Sequence, residues 1–404
     1  MQTIRSMSWL ALLCFSQVIV AAAQESPKRV APEDFPILPW SWAPGDVKVL
    51  EEIRECGFNL AGFVAPENLD AVNAAGLKCI VSYGPTHVGD DAANRDEATV
   101  QKEVGALVGR VGKHPAVFGY YLRDEPGAAL YPVLARYAAA YRKVAPAARC
   151  YINLFPNYAS PRQMGVPTYE EYLERFVAIV NPQFISYDHY ALMDDGSLRS
   201  GYFQNLEAVR KVALAHGLPF WNIVLANAHF NYAEPAGGGI RFQAYTTLAY
   251  GGRGISYFTY FAPTAGNYRL APIDQFGHKT PTWDMLRNVN LQIHQLAPTY
   301  LRLKSVNVFY HPDVPKDCKG IDSSKFLAAV GGGDFVVGEF EDPDGRPFIM
   351  IVNKDLHRST KFSVKFKEPG TILQTNSYTG VTEPWAGENT YLAAGQGMLL
   401  SLKK

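Results

Sequence analysis

The sequence predicts an α/β fold, a (β/α)8 TIM barrel followed by a small C-terminal antiparallel β-sandwich. Three observations predict it. Eight short apolar runs alternate with eight longer amphipathic runs between residues 36 and 298, the rhythm of strand–helix units that close a parallel barrel. No Gly-rich phosphate loop follows the first run, which counts against a doubly wound open sheet. After about residue 303 the helical rhythm stops and only short strand-like runs remain.

The strand candidates are PILPWSW (36–42), GFNLAGFV (57–64), LKCIVSYG (77–84), VFGYYLRD (117–124), RCYINLF (149–155), QFISYDHY (183–190), PFWNIVLANAH (219–229) and GISYFTYF (254–261). Each is β-branched or aromatic in character and bounded by Gly, Pro or polar residues. The helix candidates cover 46–56, 67–76, 96–114, 127–146, 168–180, 200–217, 239–252 and 280–298. In the first, Val47, Leu50 and Ile53 share one face at helical spacing. The second ends at Gly76, a residue suited to a helix stop. Pro132 stands where it can bend the fourth. The barrel is expected over 35–300 and the sandwich over 303–404. Pro343-Asp344-Gly345, between two apolar runs, marks a hairpin there.

The N-terminus reads as a targeting segment. Arg5 precedes a mostly apolar run from Ser8 to Val20, and Ala21-Ala22-Ala23 offers a small-residue cleavage site. The run is short for a membrane span. A signal peptide over 1–23 is expected, with a secreted or periplasmic mature chain carrying no stable span. Formal net charge is zero and no long basic run occurs, which argues against a nucleic-acid partner. Cys56, Cys79, Cys150 and Cys318 are too few for a disulfide framework in so long a chain. Cys79 and Cys150 lie in strand-like runs and read as buried. No close Cys/His spacing suggests a zinc site, and neither a metal nor an organic cofactor is expected. Oligomeric state is not encoded legibly.

A barrel carries its active site at the C-terminal ends of its strands. Those ends hold Trp40 and Trp42, then Asp124 and Glu125, then Asn153. Beyond these come Asp188, His189 and Tyr190, then Asn227 and His229, and finally Tyr260. Carboxylates and amides hydrogen-bond hydroxyls, and aromatic rings match the apolar face of a sugar. The aromatic content, 23 Tyr, 22 Phe and 6 Trp, can supply such platforms. The mixture suits a carbohydrate partner. Trp40, Trp42, Tyr190 and Tyr260 are the stacking candidates, and Asn153, His189, Asn227 and His229 the hydroxyl-binding ones. Along FISYDHY, alternation sets Ser186 and Asp188 on one face and Tyr187 and His189 on the other. Ser186 is small enough for a barrel interior, so Asp188 points into the mouth. Other uses are open: Asp124 can cap the following helix, Glu125 or Asp188 can pair with an arginine, and Asp188 can orient a histidine.

The fourth run ends Asp124-Glu125-Pro126, and this resembles the large clan of (β/α)8-barrel glycoside hydrolases. Their general acid/base is a Glu ending strand four, commonly within Asn-Glu-Pro. The resemblance implies that Glu125 protonates the leaving glycosidic oxygen, with Asp124 beside it raising its pKa. The clan's second carboxylate is a Glu ending strand seven, and this chain has none there. Asp188 is then the expected second carboxylate. Adjacent Asp and Glu at the same strand end also resemble substrate-assisted N-acetylhexosaminidases. There the Asp orients the substrate's own acetamide and the Glu is the acid. The missing strand-seven acid keeps a third reading in view, a non-catalytic carbohydrate-binding barrel.

Overall fold

The structure, a computed structural model, describes residues 35–404 apart from 388 and 389. The signal peptide expected over 1–23 lies outside the described residues. Eight barrel strands appear in chain order: β1 (Ile37–Pro39), β2 (Leu60–Val64), β3 (Lys78–Val81), β4 (Val117–Asp124), β5 (Arg149–Leu154), β6 (Ile185–Asp188), β7 (Phe220–Leu225) and β8 (Gly254–Phe258). Each pairs in parallel with the next from β2 to β8, and β1 pairs with β8. The remaining seam closes just past β1. Phe63 N–H donates to Ser41 O at 2.9 Å and Ala43 N–H to Phe63 O at 3.0 Å.

The helices are α1 (Val47–Glu55), α2 (Leu69–Ala74), α3 (Glu97–Val111), α4 (Tyr131–Val144), α5 (Pro161–Met164), α6 (Tyr169–Val180), α7 (Tyr202–Ala215), α8 (Gly237–Ala249) and α9 (Pro281–Tyr300). Polar residues begin many of them. Asp46, Asp96, Thr168 and Thr280 accept backbone N–H bonds at the starts of α1, α3, α6 and α9, which satisfies donors a helix leaves open. Helix α6 stops at Asn181, whose φ of +51° turns the chain out of the helix. Pro132 falls in the first turn of α4, where its missing N–H costs no hydrogen bond, so it does not bend the helix. Periodicity does not predict the four-residue α5, which is too short to show any. A capping box between Ser160 and Gln163 defines it.

Side chains fill the barrel in layers. Phe118, Phe184, Trp221, Tyr151, Ile80, Leu38, Leu60 and Phe63 form a continuous inner cluster, with Trp40 and Tyr121 packed on its upper side. Each such side chain contributes roughly 1.5–3 kcal/mol of burial free energy. Gly254 makes room for this packing, because a Cβ there would meet the Trp221 ring at 2.6 Å.

The C-terminal unit is an antiparallel β-sandwich. A six-stranded sheet has the order β16-β15-β18-β12-β11-β9, from β9 (Lys304–His311), β11 (Phe335–Glu341), β12 (Pro347–Asn353), β15 (Thr371–Thr375), β16 (Thr382–Pro384) and β18 (Gly397–Lys403). Two short ladders accompany it, β10 (Leu327–Gly331) with β14 (Ser363–Phe366) and β13 (Thr360–Lys361) with β17 (Tyr391–Leu392). The Pro343-Asp344-Gly345 hairpin joins β11 to β12. Asp342 accepts from the N–H groups of Asp344 and Arg346, and Gly345 takes φ +76°. Alternation splits β11 between two cores. Phe335 and Val337 pack inside the sandwich, while Val336 and Phe340 join the barrel core. The described cysteines carry no disulfide, Cys79 is buried and Cys150 is half-buried. No described helix is long and apolar enough to cross a membrane.

Gly338 lies where β11 crosses α8, and a Cβ there would sit 1.9 Å from Ala249 O. Gly338→Ala is expected to push sandwich and barrel apart and to cost about 1–3 kcal/mol. Urea denaturation measures it, and an unshifted midpoint would contradict this seating of the sheet on α8.

Candidate active site

The site begins with a fault in strand pairing. The register of β4 against β5 slips between Tyr121 and Arg123. A bulge of this kind re-aims the side chains after it. As a result Tyr121 and Asp124, three residues apart, both line the barrel mouth, although strict alternation would set them on opposite faces. Beyond the slip Asp124 stands beside Asn153, and Asn153 beside Ser186.

Asn153 ties the acids of two strands together. Its amide Nδ2 donates to Asp124 Oδ1 at 3.1 Å and to Asp188 Oδ1 at 2.9 Å, and its Oδ1 accepts from Ser186 Oγ at 3.1 Å. Tyr151 OH lies 3.0 Å from that Ser186 hydroxyl. Glu125 is the residue after Asp124 and has φ +43°, a left-handed conformation costing a non-glycine residue on the order of 1–3 kcal/mol. Two bonds hold it there. Its N–H donates to Asn153 O at 2.8 Å, and Tyr172 OH donates to Pro126 O at 2.7 Å. The turn sends the Glu125 carboxyl to that of Asp188, and the two share a hydrogen bond.

Three carboxyl groups so placed resist ionisation. Burial, then the Asp124 charge, raises Glu125 to about 7, against a smaller lowering by the Asp188 hydrogen bond. Burial first, then the Glu125 and Asp124 charges, raises Asp188 well above the carboxylate range. Asp188 is 4% exposed. Asp124 keeps one side open to solvent, yet the surrounding protein strips away enough water to raise it, against lowering by Asn153 and Arg123. Arg123 itself turns outward to Asp90 at 2.8 Å. Neither the cap nor the arginine pair occurs. The segment after Pro126, from Gly127 through α4, receives no side-chain cap, and no arginine among the described residues bonds Glu125 or Asp188.

Beside the carboxyls lies a cavity of about 410 Å³ lined by Trp40, Trp42, Phe63, Tyr121, Asp124, Phe258 and Phe261 among others. Trp42 is 61% exposed, and Trp40 stands edge-on to Phe63 with ring centres 4.7 Å apart. Of the residues singled out from sequence, Trp40, Trp42 and Asp124 line this space, while Glu125, Asp188 and Asn153 form the adjoining cluster. Tyr190 packs at the mouth against Phe258 and His229.

Three candidates point elsewhere, and a fourth, His229, is packed behind Tyr190 and Phe258. His189 is buried outside the strand ring, its Nδ1 2.9 Å from Asn205 Oδ1, and burial lowers it to about 4. Asn227 is buried and commits its amide to Thr259 Oγ1 and His229 Nδ1. His229 stacks on Tyr268 at 5.0 Å, and burial lowers it too to about 4. Tyr260 is buried beneath α9, its hydroxyl accepting from Trp283 Nε1 at 3.0 Å. The inward alternation of Ser256 and Phe258 would continue to Tyr260, but the chain leaves the strand after Phe258. Reasoning from the sequence missed Tyr121, Phe63, Phe258 and Phe261. Phe258 was legible, two places beyond the small inward Ser256, whereas Tyr121 depends on a bulge that no residue type announces. Among the described residues no group of three or more His, Cys, Asp or Glu is placed to hold a metal ion.

The geometry is an acid cluster beside an aromatic cavity at the strand ends of a barrel. No family model and no curated protein matches the sequence. Solved structures match the fold. One described as a glycoside hydrolase superposes with a TM-score of 0.59 at 13% identity, over 92% of this chain and 93% of that one. The chain shares its fold with solved glycoside hydrolases. A glycoside hydrolase family 5 structure from Bacteroides vulgatus gives 0.59 at 11% identity over 91% and 88% of the two chains. A catalytic mutant of a GH42 beta-galactosidase from G. stearothermophilus gives 0.55 at 9% identity over 92% and 98%.

The raised carboxyls link stability to pH. Glu125 holds its proton more tightly in the folded chain than unfolded. Its contribution is therefore full below the ordinary glutamate pKa and is lost as pH rises through about 7. Asp124 and Asp188 act in the same direction. In chemical denaturation between about pH 5 and about pH 8, wild type should lose stability as pH rises, and Glu125→Gln should lose less. Parallel slopes for the two proteins would contradict the raised Glu125.

Proposed function

We propose that this chain is a glycoside hydrolase acting on an oligo- or polysaccharide, with Glu125 as its proton donor. The hydrogen-bonded cluster of Glu125, Asp188 and Asp124 around Asn153, beside an aromatic cavity, carries this reading. A glycosidic oxygen is a poor leaving group and needs a proton as its bond to the anomeric carbon breaks. Glu125, raised to about 7, can hold that proton at neutral pH and release it to a developing alkoxide. The Asp188 hydrogen bond keeps the Glu125 carboxyl in position. Asp124, on the cavity wall, offsets the positive charge that grows on the anomeric carbon. Trp40 and Trp42 offer faces to the sugar ring. The signal-like N-terminus supports export of the chain to the polymers it would degrade.

A second reading has an observation of its own. Asp188, the expected second carboxylate, is buried and already bonded to Glu125 and Asn153, while Asp124 faces the cavity. That arrangement favours a substrate whose own 2-acetamido group attacks the anomeric carbon, with Asp124 orienting it.

Glu125→Gln keeps the shape and removes the acid. Turnover of a susceptible aryl glycoside should fall by about two orders of magnitude or more while sugar binding persists. The wild-type rate should decline as pH rises past about 7, where Glu125 gives up its proton. Equal turnover by both proteins would remove Glu125 from the chemistry, and binding by both without product would favour the non-catalytic barrel. Comparing N-acetylated with plain aryl glycosides tests the second reading. Cleavage confined to the former is expected of acetamide participation, and equal cleavage of both rules out an obligatory acetamide.

A further inference from the structure

The side of the mouth reached by the loops after β5, β6 and β7 carries a cation that no carboxylate answers. Arg199 sits at the base of a tight loop that follows β6. Its N–H donates to Ala191 O at 2.7 Å, and Leu192 bridges Leu198 across the loop. The half-buried guanidinium lies 4.4 Å from the ring centre of Tyr158 and 5.2 Å from that of Tyr232. Nε donates to Tyr190 O at 3.3 Å and Nη2 to Tyr232 OH at 3.1 Å. Nη1 has no protein acceptor among the described residues, and no described Asp or Glu forms an ion pair with Arg199. Other arginines on this face are answered, Arg123 by Asp90 and Arg269 by Glu234. In the same loop Asp195 bonds Ser197.

A partly desolvated cation without a counter-ion is a costly arrangement. The tyrosine rings recover some of that cost through cation–π attraction. With the Tyr158 ring close by and the Nε side taken by Tyr190 O and Tyr232 OH, the guanidinium offers the edge that carries Nη1 and the second N–H of Nη2. An edge of paired N–H donors suits a planar carboxylate or a sulfate. The position is close to the cavity, because the Tyr232 ring beside Arg199 packs on Tyr190 at 5.6 Å and Tyr190 packs at 5.4 Å on Phe258 of the cavity wall, and Tyr158, 39% exposed, responds to the charges of both Asp188 and Arg199. The opposite half of the mouth, lined by Trp40, Trp42, Tyr121 and Phe258, contributes no basic side chain to its cavity. The mouth therefore has an apolar side for a sugar face and a cationic edge for a charged group.

We propose that Arg199 docks an anionic substituent of the bound sugar, a uronic acid carboxylate or a sulfate ester, and that the substrate is an acidic glycan. This rests on the hydrolase reading above.

The test uses the full chain carrying Glu125→Gln, so that bound sugar persists. Calorimetry compares tetrasaccharides of galacturonate, of glucuronate and of sulfated galactose, each beside its neutral counterpart. At least one acidic probe should bind about ten-fold or more tightly than its counterpart, and less so as NaCl is raised. Arg199→Gln should abolish that preference and leave neutral binding unchanged, while Arg199→Lys keeps part of it. The uronate and sulfate probes separate the two sources of negative charge. Acidic and neutral probes bound alike, no binding of any acidic probe, or a preference that survives Arg199→Gln would each overturn the proposal. Unchanged neutral binding shows that the variant is folded, and Arg199→Lys with the salt series decides the matter if Arg199→Gln does not fold. Wild-type chain incubated with the same probes reads hydrolysis separately. Binding without product release would sink the hydrolase and leave the role of Arg199 standing.

Discussion

One amide holds the acid cluster together. Asn153 divides its two N–H bonds between Asp124 and Asp188, and its oxygen is fixed because Ser186 donates to it. That third bond decides which way the amide faces, since an amide turned over would set its oxygen against two carboxyl oxygens. The choice of donor also matters. A guanidinium in the same place would hold the carboxyls equally well, but its charge would pull their pKa values down and leave no proton to give. A neutral amide adds no charge of its own, so burial still raises all three, joined at Glu125 and Asp188 by repulsion from the neighbouring carboxylates. Position is thus fixed without removing the acidity on which the proposed chemistry depends.

The rest of the barrel supports that amide. Tyr151, two residues before Asn153 on the same face, lies in the inner cluster with Phe184 and Trp221, and its hydroxyl meets both Ser186 and Ser256. The packed interior therefore reaches the cluster through one rigid side chain. The strained backbone of Glu125 is held from the outside, by the Asn153 carbonyl and by Tyr172 on α6. The sandwich adds a further constraint, because its sheet packs on α8, and Gln243 of α8 bonds both the N–H and the carbonyl of Leu225 at the end of β7.

Much of this was legible in the residues. Eight strand–helix repeats were readable because barrel strands are short, apolar and punctuated, and Asp124, Glu125, Asn153 and Asp188 were readable because they end such strands. Asp188 followed from alternation on a strand with a small inward Ser186, and that argument works where a strand is regular. It failed where strands are not. The slip in β4 brings Tyr121 to the mouth, and the exit after Phe258 takes Tyr260 away from it. His189, Asn227 and His229 show another limit. A polar residue at a strand end can face a neighbouring helix or loop as readily as the mouth, and these found partners in buried Asn205, buried Thr259 and half-buried Tyr268. Arg199 was invisible for a different reason, since its interest lies in lacking a counter-ion, which only packing reveals.

The absent strand-seven acid gains a physical context from the same packing. The space past the end of β7 holds His229 stacked on Tyr268 with Tyr190, Tyr232 and Phe258 around it, and a carboxylate set among these packed rings would lose hydration that its charge needs. An acid added there would raise its own pKa or disrupt the stack. The acids are instead gathered on β4 and β6, where Asn153 can serve them, and the two nearest each other, Glu125 and Asp188, share a hydrogen bond that leaves no gap for a sugar ring between them. The hydrolase proposed above would then have Glu125 as its proton donor and no protein nucleophile on the opposite side of the sugar. On that proposal the attacking oxygen would come from outside the chain, either from water entering the open mouth or from the substrate's own acetamide, and Asp124, which faces the cavity, would be the group to guide it.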